Sequence, residues 1–291
     1  MKAVGTASRV VLSVYFWLFI AFLLAPLVVL VIFAFDDSTT ATLPLEGLTT
    51  HWFSDAFTNG QLTTALVRSA VIAMAAGIIA TALGVMASVG LTSDRLRLRS
   101  LTVASLMLPL VVPYISLAVG LVILLQALSV QTSLTAVVLG HVVIALPFAI
   151  LVLLPRLRTL DPAMTEAARD LGASDLTAFR VITLPLLGPA LVSSFLISFV
   201  TSFDEFAIAS FLAPSGQPTY PVFLYASSRT PALLPQVIAI GTLVIALSMA
   251  LVLVAEGGRR WAERRLTGDD ELLDGVFEEN LSEGLVLVGK S

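Results

Sequence analysis

Long apolar runs alternate along this chain with short stretches where charged and turn-forming residues collect, a spacing set by a bilayer rather than by a soluble core. A helix that crosses the hydrocarbon needs about 20 apolar residues. Runs of that order lie at about Val10 to Phe35, Thr64 to Leu91, Leu101 to Leu128, Leu134 to Leu154, Leu186 to Leu212 and Gln236 to Ala255. The pattern predicts an all-α membrane protein of six transmembrane helices, because in lipid every backbone group must be satisfied within its own segment. The first run is longer than a secretory h-region and no small-residue cleavage site follows it, so it is expected to remain as an anchor. In the second, Ala76, Ala80, Gly84 and Ser88 recur at helical spacing and make a face small enough for a neighbouring backbone to approach. Pro109 and Pro113 in the third run, and Pro147 in the fourth, each remove a backbone donor and predict bends.

Composition sharpens this picture. Hydrophobic residues make up 57% of the chain and charged residues 12%, leaving no room beside six spans for a soluble catalytic domain. The absence of cysteine excludes disulfides, thiol nucleophiles and cysteine-based metal sites. If the N-terminus is cytoplasmic, 14 of the 16 Lys and Arg fall on the cytoplasmic side, and only Arg68 and Arg229 lie outside. That asymmetry puts both termini in the cytoplasm and makes Asp36 to Thr63 and Ala213 to Pro235 the external segments. The net charge of -4 is misleading, since seven acids fall in the last 25 residues. We therefore divide the chain into a membrane domain, residues 1–265, and an acidic tail, residues 266–291, expected to be disordered. Nothing suggests a nucleic-acid partner.

The interruption between the fourth and fifth runs, residues 161–189, has its own architecture. Asp161-Pro162 places a capping residue and a proline at a helix start, predicting a helix through Ala163 to Asp170. Gly172 should stop it, and Ser174 should cap a second helix running through Phe179 to Ile182. Ala167, Leu171, Phe179 and Ile182 are expected to anchor this insert to the bundle, with Glu166, Arg169, Asp170 and Asp175 available to a partner. On these signals alone an ordinary amphipathic connector is an equal alternative.

Glu166-Ala167-Ala168, Gly172-Ala173, Leu184-Pro185 and Pro189 closely resemble the EAA loop of ABC importer permeases, and the likeness extends over nearly the whole chain up to about Arg265. The resemblance implies a non-catalytic permease in a bacterial inner membrane, whose insert is a coupling helix. Glu166, Ala167, Ala168, Asp170, Gly172 and Ala173 would then meet the nucleotide-binding subunit. It also implies partners: a second, similar permease, two ATPase subunits that use ATP and Mg, and an extracytoplasmic substrate-binding protein. No cofactor or metal is expected on this chain itself. Residues 284–291, GLVLVGKS, match the P-loop pattern, yet no helix follows to face a phosphate, so the match is taken as coincidental.

The fifth run holds an adjacent pair of carboxylates, Asp204 and Glu205, and intramembrane ionisable groups are costly enough to be functional candidates. Asp204 lies 13 residues from Leu191, about 20 Å along a helix, and so in the outer half of the span. Ser194, Ser198, Thr201 and Glu205 follow at helical spacing, flanked by Ser202, predicting a polar stripe along a substrate pathway. Pairing with a basic residue of another subunit is the alternative. An anionic stripe favours a cationic solute. Within the permease family, Ser202-Phe203-Asp204-Glu205 looks most like the second permease of spermidine and putrescine importers, implying a polyamine cargo, with opines, aminophosphonates or other amino compounds as alternatives. An ion-coupled secondary transporter is the rival from a different class, and a membrane-embedded enzyme is disfavoured because no second catalytic cluster accompanies the carboxylates. His141 is expected to form a helix-helix hydrogen bond, Tyr114 and Gln126 to line the pathway or bond across helices, and His51 and Trp52 to sit at the interface.

Overall fold

The computed structural model describes residues 6–92, 98–247 and 249–250. The acidic tail, the P-loop-like segment and the end of the sixth expected span lie outside them. Among the described residues every regular element is a helix, and the only strand-like pairing is an isolated bridge between Asp36 and Leu48. They fall into two compact units, one reaching Phe53 and resuming at Ile238, the other spanning Ser54–Val237.

In the first unit, α1 (Thr6–Ala34) carries its large apolar side chains exposed almost throughout, as suits a helix surrounded by acyl chains. The chain then folds a tight loop around Asp36, which is 1% exposed. Its carboxylate accepts hydrogen bonds from Ser38 Oγ at 2.7 Å and from the Glu46 N–H at 2.9 Å, and its backbone oxygen accepts from Trp52 Nε1 at 2.8 Å. Trp52 opens α2 (His51–Thr58) and is buried against this loop rather than lying free at an interface. The Ser38 hydroxyl above all, helped by the N–H groups of Glu46, Gly47 and Ser38, outweighs desolvation and holds the Asp36 carboxyl below the usual aspartate range. A depressed folded pKa gives stability that is fully present above the unfolded value and lost as pH falls through the folded one. We therefore expect Trp52 fluorescence, isolated by Trp17→Phe and Trp261→Phe, to hold steady on acidification through the ordinary aspartate range. It should change only below that range, and Asp36→Asn should bring the change to neutral pH.

The second unit is built on α3 (Gly60–Thr92), α6 (Leu134–Arg158) and α10 (Gly188–Phe203), which pack pairwise against one another. The small-residue face of α3 does what its spacing predicts: Ala76, Ala80, Gly84 and Ser88 are all buried. A Cβ built on Gly84 would lie 2.8 Å from Ala149 Cβ, so the two helices approach as closely as a glycine allows.

Two expected spans differ from their prediction. The third is not one bent helix. It consists of α4 (Arg99–Met107), a 3-10 turn at Leu108–Leu110 and α5 (Tyr114–Ala127), with a 102° turn between the two arms. Pro113 lacks the N–H that would bond to Pro109 O and carry a helix across Val111 and Val112, and it is itself extended at φ -56°, ψ 131°. Pro147, by contrast, sits buried inside an unbroken α6. The fifth expected span meets the preceding helical segment at 71° and stops at Phe203. Among the described residues, three helices are long and apolar enough to cross alone, or five spans if each bent pair counts as one. A further apolar helix, Leu234–Leu247, covers the first part of the sixth expected span.

Candidate functional site

The insert after α6 folds as its caps dictate. Asp161 accepts a hydrogen bond from the Ala163 N–H at 2.9 Å and starts α7 (Pro162–Asp170), with Pro162 in the first turn where its missing donor costs nothing. Gly172 ends it at φ +88°, the left-handed conformation that only glycine adopts freely. The turn closes through the Gly172 N–H to Arg169 O at 2.8 Å and the Ala173 N–H to Ala168 O at 3.0 Å. Ser174 then accepts from the Thr177 N–H at 3.2 Å and begins α8 (Asp175–Ala178). The chain continues through a π-helical turn at Phe179–Thr183 into α9 (Leu184–Leu186) and on to α10.

The outward face of the insert is not the expected one. Ala167 and Leu171 do not anchor it: Ala167 is exposed and Leu171 is 90% exposed. Anchorage comes from Ala178, Thr183 and Leu187, which are buried, with Phe179 and Ile182 half-buried. Arg169 and Asp175 are not both left over for a partner, since Arg169 Nε reaches Asp175 Oδ1 at 2.8 Å across the glycine turn. An exposed pair of this kind contributes about 0–1 kcal/mol, so the hydrogen-bonded glycine turn does more than this pair to set the angle between the helices. Glu166, Ala167, Asp170 and Gly172 stand exposed, with Ala168 and Ala173 half-buried beside them. Met164, Leu171, Leu176 and Val181 complete an amphipathic surface, the combination expected of a protein contact.

At the far end of α10 the carboxylate pair is divided. The helix stops at Phe203, and α11 (Ala207–Leu212) resumes after Asp204, Glu205 and Phe206. Glu205 turns inward: Oε2 accepts from the Ile208 N–H at 2.8 Å and the Ala209 N–H at 3.1 Å, satisfying the open donors at the start of α11. It is 4% exposed and stands 3.3 Å from His141 Nε2, while His141 Nδ1 lies 2.7 Å from Ser202 Oγ. Asp204 turns outward and is exposed.

The expected stripe is divided in the same way. Ser194, Ser198 and Ser202 are buried between helices, Ser194 Oγ donating to Thr81 Oγ1 at 3.4 Å, and half-buried Thr201 returns its hydroxyl to Ile197 O at 2.8 Å. The inference that Thr201 and Glu205 share a helix face required a helix through residue 205, and it ends before that. Tyr114 packs half-buried against the core and Gln126 is exposed. An open groove of about 600 Å³ between α3 and α10, lined by residues such as Ile78, Val85, Leu191 and Phe195, carries no charged side chain to meet a cation. The capping role of Glu205 left one signal in the sequence, a lone histidine in the fourth span that required a polar partner.

Comparison with known proteins is consistent across the chain. The family described as "Binding-protein-dependent transport system inner membrane component" matches residues 80–268. The chain is 32% identical over 236 residues to the spermidine/putrescine transport system permease protein PotC of Haemophilus influenzae, covering 81% of this chain and 91% of that one. It is 33% identical over 231 residues to the putrescine transport system permease protein PotI of Escherichia coli K12, covering 77% and 82%. Among solved structures, a bacterial ABC transporter involved in import of the acidic polysaccharide alginate superposes with a TM-score of 0.66 at 14% identity, covering 88% of this chain and 99% of that one. The MetNI methionine ABC transporter gives 0.55 at 18% identity, covering 68% and 93%. At those identities the structures speak to fold alone.

Proposed function

Because the chain belongs to the family of binding-protein-dependent transport system inner membrane components, we propose that it is the non-catalytic permease through which an ATP-driven importer moves a polyamine such as spermidine or putrescine. The observation that carries the cargo assignment is the exposed carboxylate of Asp204 at the break between α10 and α11, in a chain about a third identical to permeases named for those cations. A carboxylate in an otherwise apolar segment is costly unless it meets a cation, and a polyamine presents ammonium groups along an alkyl chain.

In this proposal the insert at residues 161–189 faces the cytoplasm, as do both termini, and a separate ATPase pair using ATP and Mg docks on Glu166, Ala167, Ala168, Asp170, Gly172 and Ala173. A second permease completes the pathway, and an extracytoplasmic binding protein delivers the solute to the outer loops. Closure of the ATPase pair drives the capped insert, whose second helix runs into α10 and so toward Asp204.

The test is uptake of radiolabelled spermidine by the assembled complex in proteoliposomes with ATP and binding protein. Asp204→Asn should lower uptake about tenfold, the loss expected of one charge-assisted contact. Unchanged uptake would remove Asp204 from the pathway, and absence of spermidine uptake by the unmodified complex would remove the polyamine.

A further inference from the structure

The role of Asp204 leaves its buried neighbours unassigned. His141, Ser202 and Glu205 are exposed by 1, 2 and 4%, and form one polar cluster where α6, α10 and α11 meet. Ser202 Oγ lies 2.7 Å from His141 Nδ1, and Glu205 Oε2 lies 3.3 Å from Nε2, a contact longer and less well aligned than a full hydrogen bond. Two bare lone pairs facing each other this deep in the protein would repel, so a proton lies between Nε2 and the carboxylate. With the Ser202 hydroxyl donating to Nδ1, the imidazole carries that hydrogen on Nε2 and attracts Glu205.

The histidine thus holds the chain on both sides of Asp204. Ser202 precedes Asp204 at the end of α10, and Glu205 follows it while capping α11 through the Ile208 and Ala209 N–H groups. The neighbouring residue on α6 completes the seat: a Cβ built on Gly140 would lie 2.6 Å from Ile208 Cγ2, so α11 rests directly on the α6 backbone. Without these tethers, α10 is free to continue for another turn, and each residue it recruits rotates by about 100° around the axis. The carboxylate of Asp204 would then leave the direction it now takes.

We propose that His141 is a positioning residue for cation passage, fixing through Ser202 and Glu205 the direction in which Asp204 presents its carboxylate. This rests on the pathway role assigned to Asp204. The experiment measures radiolabelled spermidine uptake against concentration in the reconstituted complex. His141→Leu removes both tethers and should raise KM about fivefold, roughly the value of one ordinary hydrogen bond, with the maximal rate nearly unchanged. His141→Gln keeps a donor toward Glu205 and should restore KM to within about twofold, and Ser202→Ala, which removes one tether, should raise it about threefold. Combined with Asp204→Asn, neither His141→Leu nor Ser202→Ala should add a further rise, because both act through the group already neutralised. If Asp204→Asn is silent, the pathway role falls and this proposal with it. If Asp204→Asn impairs uptake while His141→Leu and Ser202→Ala are silent, or add to it in full, only the positioning role falls. Should His141→Leu fail to assemble, Ser202→Ala alone and in the Asp204→Asn background decides between the same outcomes.

Discussion

Gly172→Val should lower ATP-driven uptake at least tenfold while the chain still inserts in the membrane, and Gly172→Asn should transport nearly as well as the unmodified protein. The contrast follows from the backbone alone. Gly172 sits at φ +88°, and a Cβ placed there meets no atom within 4 Å, so steric crowding plays no part. What a side chain costs is the left-handed conformation itself, about 1–2 kcal/mol for an ordinary residue, more when β-branched and least for asparagine. Valine relieves that strain by opening the turn, which loses the Gly172 N–H to Arg169 O and Ala173 N–H to Ala168 O bonds and pulls Arg169 away from Asp175. The angle between α7 and α8 would then no longer be set, and the surface bearing Glu166, Asp170 and Leu171 would be presented in many orientations. Uptake and ATP hydrolysis by the reconstituted complex, measured side by side, separate the cases: valine should leave hydrolysis running without transport. Normal transport by Gly172→Val would mean that the turn does not carry the coupling.

Those features of the insert were legible because local chemistry decides them. Asp161, Pro162, Gly172 and Ser174 act within four residues of themselves, and the structure uses each as its type suggests. Leu171, expected to anchor the insert, is 90% exposed for a reason of the opposite kind. Apolar spacing marks a face that is to be covered, but says nothing about which chain covers it. Pro109 and Pro113 announced a disturbance, and only packing sets its size at 102°. The break at residues 204–206 was hidden because the contacts around it are tertiary: His141, 61 residues before Ser202, lies against both Ser202 and Glu205. Asp204-Glu205 therefore read as one anionic pair, although tertiary contact gives the two carboxylates different work.

That division predicts opposite phenotypes for adjacent residues. Glu205→Ala should destabilise the protein strongly, whereas Asp204→Ala should leave stability nearly unchanged and impair uptake. Glu205 is buried and serves three groups at once, the N–H of Ile208, the N–H of Ala209 and the imidazole of His141. Alanine strands all three donors in a buried site, and with each such donor left unsatisfied costing about 1–3 kcal/mol the total loss is about 3–5 kcal/mol. For a protein of this size, each kcal/mol moves a thermal midpoint by about 2–4 °C, so the expected fall in detergent is roughly 10 °C. Glu205→Gln should fall much less, because the amide oxygen still accepts from both N–H groups. Asp204 is exposed and its carboxylate accepts no hydrogen bond among the described residues, so alanine strands no buried donor there, and substitutions at sites of that kind stay within about 0.5 kcal/mol. Thermal midpoints and spermidine uptake, measured on the same three variants, decide the matter. A midpoint that falls for Asp204→Ala but not for Glu205→Ala would mean that the two carboxylates have been assigned the wrong way round.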